Sequence, residues 1–134
     1  DRVAVLSIMI AKEMNLDDVK ITELEMASVL HDVGKIGLSE NILNKEGKLT
    51  DFEYKLIKEH PQKGYEIVSQ IKDMKKIAMI IKHHHERWDG FGYPAGLKEK
   101  SIPIESRIIA IADTYDAITS DRPYRKGKKL EKRG

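Results

Sequence analysis

Pro103-Ile104-Glu105-Ser106-Arg107-Ile108-Ile109-Ala110-Ile111-Ala112-Asp113-Thr114-Tyr115-Asp116-Ala117-Ile118 is the stretch on which the fold turns. Ile104, Ile108, Ile111, Ala112, Tyr115 and Ile118 recur three and four residues apart, which predicts a helix opened by Pro103 with these residues on its apolar side. Asp113 interrupts the apolar run, where a lone carboxylate is costly to bury without a cation or hydrogen-bond partners. The plainer alternative is a surface Asp on the polar face.

The same periodicity extends toward the N-terminus. Val3, Leu6, Ile10 and Met14 predict a first helix. Thr22 and Glu25 have capping-box spacing and predict a second, from about Thr22 to about His31, with Gly34 placed to end it. Gly34 to Leu49 reads as an irregular connection. Thr50 and Glu53 repeat the capping-box spacing, and that helix is expected to stop near His60, because Pro61 disfavours helical geometry in the residue before it. Pro61 then begins a helix carrying Tyr65, Ile67 and Val68. Asp73 is the expected cap of a helix through Met74, Ile77, Ala78, Ile80 and Ile81 that delivers His83, His84 and His85 at its far end. From Arg87 to Ile102 the periodicity breaks around Gly90, Gly92, Pro94 and Gly96, and an aperiodic segment of that length inside a domain is more often functional than idle. No segment alternates with a period of two, so the class is all-α.

A length of 134 residues with 40% hydrophobic and 34% charged residues suits one globular core. The core is expected over 1–121, with a basic C-terminal tail of the same domain over 122–134. The net charge of +2 divides unevenly, near −4 for the body and near +6 for the tail. Such a tail reads as a solvated end or as an anion-binding extension, with Arg122 and Arg125 the best candidates for contact. No apolar run approaches the roughly 18 residues of a membrane span. With no cysteine, disulfides, thiolate zinc sites, iron–sulfur clusters and Cys nucleophiles are excluded, and any metal must sit on His, Asp or Glu. Asp1 stands where a Met would start, so the chain is expected to be a piece of a longer protein whose localisation signals lie elsewhere.

Imidazole or carboxylate meets a helix end or an apolar helix at His31-Asp32, His60, His84-His85 and Asp113. Adjacent ligands diverge by about 100° on a helix, so each pair either serves two metals or reaches one from a distorted terminus. Each place alone is weak; their joint occurrence carries the argument.

Leu30-His31-Asp32-Val33-Gly34-Lys35-Ile36-Gly37, then His60-Pro61, His84-His85-Glu86-Arg87-Trp88-Asp89-Gly90-Phe91-Gly92-Tyr93-Pro94, Asp113-Thr114-Tyr115-Asp116-Ala117 and Arg122-Pro123-Tyr124 occur in order across the chain. Together they resemble the HD-GYP domain of the HD phosphohydrolase superfamily. The resemblance implies an HD-domain helical bundle, here truncated at both ends, and a phosphodiesterase that hydrolyses cyclic di-GMP to linear pGpG or GMP. It implies two or three divalent ions on His31, Asp32, His60, His84, His85 and Asp113, with Asp32 bridging two of them and acting in catalysis. Imidazole and carboxylate donors suit iron, manganese or zinc, and the resemblance favours iron or manganese. Two ions about 3.5–4 Å apart meet the needs of phosphodiester cleavage, activating water and relieving charge on the phosphoryl oxygens.

Lys35, three residues after Asp32, is the expected catalytic cation on the substrate phosphate. Tyr93, Asp116, Arg122 and Arg125 are the further expected substrate contacts; Asp116 has the alternative of orienting a ligand, and Trp88 reads as a core anchor under the loop. In the family another metal-binding His lies upstream of the position of Arg2-Val3, so one ion's ligand set is expected to be incomplete and these residues alone to be a poor enzyme. The implied setting is a bacterial, cytoplasmic signalling protein with a regulatory domain in the parent chain and no nucleic acid polymer as partner; apolar surface left uncovered by the truncation is expected to drive self-association as a homodimer or to need neighbouring parts of the parent chain. The competing readings are a catalytically weak module that binds nucleotide or a partner protein, and an HD-type hydrolase of another nucleotide.

Overall fold

The computed structural model describes residues 1–37 and 47–120, and among them every regular element is helical. Helices α1 (Arg2–Glu13) and α2 (Asp18–Leu30) pack on each other, and a 3-10 turn, Val33–Gly37, follows α2. Then come α3 (Asp51–Lys58), α4 (His60–Val68), α5 (Lys75–Lys82) and, after the glycine-rich loop, α6 (Ile104–Thr119). The all-α bundle agrees with the sequence reading. The expected tail, with Arg122 and Arg125, lies outside the described residues, as does part of the connection after Gly37.

Local chemistry explains most of the boundaries. The Thr50–Glu53 capping box forms as expected, the Thr50 hydroxyl accepting from the Glu53 amide and the Glu53 carboxylate from the Thr50 amide. Pro61 separates α3 from α4; α3 stops at Lys58, and His60 opens α4 instead of closing α3. Two caps fall elsewhere. Helix α2 starts a turn earlier than Thr22 because the Asp17 carboxylate accepts from the Lys20 amide at 2.8 Å, which places Thr22 inside the helix. Asp73 does not cap α5: its φ is +65°, and Met74 holds the cap position with no side-chain bond.

The core is built from α1, α2, α4, α5 and α6, with Ala11, Leu24, Ala27, Val68, Ile80, Ile81, Ile109 and Ala112 almost fully buried. Burying each such Leu or Ile side chain contributes roughly 1.5–3 kcal/mol, read as an upper bound against a compact unfolded chain. The Ser106 hydroxyl donates to the Ile80 carbonyl at 2.7 Å, fixing α6 against α5. The apolar side expected for α6 is only partly the core side. Ile108, Ile109 and Ala112 face inward, whereas Ile111 is 59% and Tyr115 56% exposed, and with Ile118 they line an open groove of about 400 Å³. The helix carries two adjacent apolar strips, and packing against α1 and α5 covers one of them. Among the described residues no helix is long and apolar enough to cross a membrane.

One close approach decides where the site can form. Gly34 lies against the start of α4 so tightly that a Cβ there would fall 1.9 Å from the His60 carbonyl oxygen and 2.7 Å from the Gly64 nitrogen. Only a residue without a side chain lets the Val33–Gly37 turn and α4 meet. Gly34→Ala is expected to lower the thermal unfolding midpoint, overpacking of this kind costing about 1–3 kcal/mol. An unchanged midpoint in a calorimetric scan would contradict the contact.

Candidate metal centre

The ligand-type residues sit at helix ends. His31 and Asp32 follow the last residue of α2, His60 is the first of α4, and His84 and His85 lie in the turn after α5; Asp113 is inside α6. Leaving the helix removes the 100° divergence of adjacent residues, and the His84 and His85 ring centroids come within 4.3 Å. The His60 ring is 5.3 Å from that of His84 and 4.9 Å from that of His85, and the His31 ring is 5.3 Å from His84. One nitrogen from each of His60, His84 and His85 falls within 4.8 Å of the other two.

Three of the imidazoles are oriented by one repeated device. The Nδ1 of His31 lies 2.5 Å from the Ser28 carbonyl, that of His60 2.7 Å from Ile57, and that of His84 2.6 Å from Ile81. Each acceptor is the carbonyl three residues earlier, in the last turn of the preceding helix. A carbonyl only accepts, so each Nδ1 carries a proton, and in the neutral ring each Nε2 presents a lone pair. These three Nε2 atoms are buried and none makes a close hydrogen bond, those of His31 and His60 facing carboxylate oxygens at 3.3 Å or more. Buried polar atoms are ordinarily satisfied, so the His60 and His84 imidazoles, grouped with His85 within 4.8 Å, fit a cation, while His31 stands beside that group and faces the carboxylates.

The carboxylates complete the arrangement. Asp32 places Oδ2 3.3 Å from the His31 Nε2 and Oδ1 3.5 Å from the His60 Nε2, so its two oxygens face different imidazoles. Asp113 Oδ1 is 3.7 Å from the His31 Nε2. Two donors on one ion with bonds of roughly 2.0–2.2 Å stand about 3–3.5 Å apart, so the Asp32 separations suit shared coordination. The donor set is hard and borderline, oxygen and imidazole without sulfur, and fits a divalent iron, manganese or zinc ion.

Electrostatics hold the lone pairs free. Burial drives His84 well below the usual histidine range, with the neighbouring His85 adding to it. Burial, then His60, brings His85 down to about 4, and burial together with the Lys35 ammonium lowers His60. His31 moves the other way: burial alone would lower it, but Asp113 and Asp32 outweigh that and raise it. Asp113 falls to about 2, chiefly through the facing His31 imidazole.

Around this centre, Lys35 places its ammonium 3.5 Å from Asp32 Oδ1. Tyr93 stacks on the His85 imidazole, ring centroids 5.1 Å apart and planes 9° from parallel, and the Lys58 ammonium lies 5.0 Å from the Tyr93 ring centre. Burial raises the Tyr93 hydroxyl to about 12, so it remains a donor at neutral pH. Asp116 is directed to α1: its Oδ1 is 2.8 Å from the Arg2 Nε, and the pair ties α1 to α6 one turn beyond Asp113. Trp88, expected as a core anchor, is 54% exposed, its ring lying beneath the Arg107 guanidinium at 5.6 Å. Sequence reasoning missed the Arg2 partnership, the nearness of Lys58 to Tyr93, and the bonding of His83 and Glu86 described below. Only Glu86 carried a signal, as a carboxylate directly after His84-His85.

Residues 1–132 match the HD domain family. A cyclic di-GMP phosphodiesterase of Thermotoga maritima is 47% identical over 98% of this chain and 36% of its own length. The cyclic di-GMP phosphodiesterase PA4108 of Pseudomonas aeruginosa is 44% identical over 93% of this chain and 30% of its own length. A 3'3'-cGAMP-specific phosphodiesterase of Vibrio cholerae is 37% identical over 98% of this chain and 29% of its own length. The chain thus spans about a third of these relatives. Among solved structures, Bd1817, an HDG"Y"P protein from Bdellovibrio bacteriovorus, superposes with a TM-score of 0.76 at 27% identity, over 96% of this chain and 44% of that one.

The neutral imidazoles set a pH dependence for the metal-free protein. The unfolded chain protonates His84 and His85 near 6.5 while the folded chain resists until about 4 at His85, so the unfolded state binds more protons between those values. Stability is therefore expected to fall as pH drops from 6.5 toward 4. His31, raised when folded, opposes the trend near pH 6.5, but toward the lower end of the window both states hold its proton and it no longer contributes. Thermal unfolding with chelator present checks this; a midpoint flat from pH 6.5 to 4.5 would contradict neutral buried imidazoles.

Proposed function

The chain belongs to the HD domain family and carries the HD-GYP signature within it, and on that premise we propose that it forms the catalytic centre of a metal-dependent phosphodiesterase hydrolysing cyclic di-GMP to linear pGpG or GMP. The observation that carries the reading is the group of His60, His84 and His85 nitrogens within 4.8 Å of one another, with His31 and the Asp32 and Asp113 carboxylates beside it. His31, Asp32, His60, His84, His85 and Asp113 would hold two or three divalent ions, iron or manganese in first place. Bound there, divalent ions supply positive charge for the phosphoryl oxygens and make water acidic enough to act at neutral pH.

The chain's own groups then have distinct tasks. Asp32 faces His31 with one oxygen and His60 with the other, which suits a carboxylate shared between two sites. The Nδ1 bonds to Ser28, Ile57 and Ile81 fix the tautomers, so these rings need not reorganise to coordinate. Lys35 stands beside Asp32 and is half-buried, placed to meet negative charge that develops on a phosphate oxygen. Tyr93 already has His85 on its ring, so its contribution is the hydroxyl, a donor to phosphate or base. Arg122 and Arg125 are proposed to reach the phosphates or a guanine, a planar guanidinium suiting either partner. Asp116, tied to Arg2, acts on the centre by setting α6 and with it Asp113.

The relatives named as 3'3'-cGAMP-specific support a second reading, the same chemistry on a mixed cyclic dinucleotide. Turnover of the full-length protein, loaded with manganese or iron, on both dinucleotides separates the two. Hydrolysis of neither by metal-replete protein would favour a binding module instead. Lys35→Ala is expected to lower kcat by about 10²–10³-fold, the scale of removing one charge-stabilising donor, with metal content unchanged. His60→Ala is expected to lose metal as well as activity, read by elemental analysis; full metal retention would remove His60 from the ligand set.

A further inference from the structure

Glu86 follows His84 and His85 directly, and its side chain is fully buried. A buried carboxylate is costly unless its lone pairs are met, and here both oxygens are. Oε1 accepts from the Leu97 amide at 2.9 Å; Oε2 accepts from the Ala95 amide at 2.9 Å and lies 3.0 Å from the Nδ1 of His83, itself buried. One side chain at the end of α5 thus gathers two amides from the far limb of the glycine-rich loop.

Elsewhere the loop is held by the Gly90 amide on the Arg87 carbonyl at 2.9 Å, the Phe91 amide on Asp89 Oδ1 at 3.0 Å and the Glu99 amide on the Trp88 carbonyl at 3.0 Å, none of which engages the amides of Ala95 or Leu97. Gly90 and Gly96 sit at φ of +87° and +71°, outside the range most residues hold. Gly92 is tucked under the loop's own start, where a Cβ would meet the Arg87 nitrogen at 2.4 Å, and the Tyr93 amide makes a longer 3.2 Å bond to the His85 carbonyl. Amide bonds to a carboxylate are the stronger kind. Tyr93 lies between this weak attachment and the two amides that Glu86 holds.

We infer that Glu86 is a positioning residue: through the amides of Ala95 and Leu97 it clasps the loop closed, and so sets the Tyr93 ring against His85 on the substrate side of the centre. The structural half stands on the contacts alone; the kinetic half rests on the phosphodiesterase reading above. The clasp makes the turn that carries two ligand histidines also the anchor of the substrate wall, so coordination and substrate contact share one short segment.

The test uses the full-length protein with 3-fluorotyrosine incorporated, loaded with diamagnetic zinc for the fluorine spectra and with manganese or iron for turnover, the Tyr93 resonance being assigned by Tyr93→Phe. Glu86→Gln keeps the shape but offers one acceptor oxygen where two are used. Its expected signature is a Tyr93 fluorine resonance displaced toward that of exposed Tyr54, amide exchange at Ala95 and Leu97 faster by about tenfold or more, and unchanged metal content. The KM for cyclic di-GMP should rise by about tenfold, and adding Glu86→Gln to Tyr93→Ala should raise it no further, because both changes remove the same contact. Glu86→Asp, which keeps the charge on a shorter stem, should give the same changes in smaller measure and serves where the Gln variant does not fold. An unmoved fluorine resonance with unchanged exchange would overturn the clasp, and KM effects that multiply in the double variant would overturn its link to Tyr93. Wild-type protein that hydrolyses no cyclic dinucleotide, while fluorine and exchange still respond to Glu86→Gln, would sink the phosphodiesterase reading and leave the clasp standing.

Discussion

The bond from an imidazole Nδ1 to the carbonyl three residues before it is the constraint on which the rest of the centre depends. It occurs at His31, His60 and His84, and each time it does two things. It ties the ring to a backbone carbonyl near a helix boundary, and in the neutral ring it leaves the lone pair on the other nitrogen. The fold accordingly brings three helix boundaries to one point, and the close approach of Gly34 to the His60 carbonyl shows how tightly they are drawn together. Every other element of the site, the carboxylates, Lys35 and Tyr93, is arranged around lone pairs whose direction the backbone has already chosen.

Much of this was legible in the chain, because much of it is local. Capping chemistry at Thr50, the helix break at Pro61 and the periodicity of α1 and α6 are decided by neighbours in sequence, and the structure follows them. Ligand-type residues at helix ends could be singled out for the same reason. Legibility failed where two local signals competed or where the partner was remote. Asp17 and Thr22 both offer caps to α2, and the earlier one prevails because it adds a turn of helix. Ile111 and Tyr115 have the spacing of a core face, yet which strip of α6 is covered depends on how α1 and α5 approach it. The Arg2–Asp116 and Glu86–Leu97 contacts join residues that nothing in a sequence window connects.

The pattern of polar burial also separates structural from chemical groups. The buried hydroxyls of Ser28 and Ser106 donate to helix carbonyls, and the buried carboxylate of Glu86 is met on both oxygens. Ser7 Oγ and Glu105 Oε2 are also buried without a hydrogen bond, but the nitrogens of His31, His60 and His84 belong to rings that stand together, those of His31 and His60 each 5.3 Å from that of His84, a concentrated expense of folding. Strain of this kind persists where something else offsets it.

The contributors to the centre lie far apart along the chain, from His31 at the end of α2 to Asp113 within α6. An ion held by both would close a long chain loop, a cross-link made of coordination instead of covalent bonds. Such a ligand binds the folded chain and not the unfolded one, and at 100 times its dissociation constant it adds about 2.7 kcal/mol to stability. Heat resistance would then rise and fall with metal supply, so the amount of folded protein would itself track the availability of the ion.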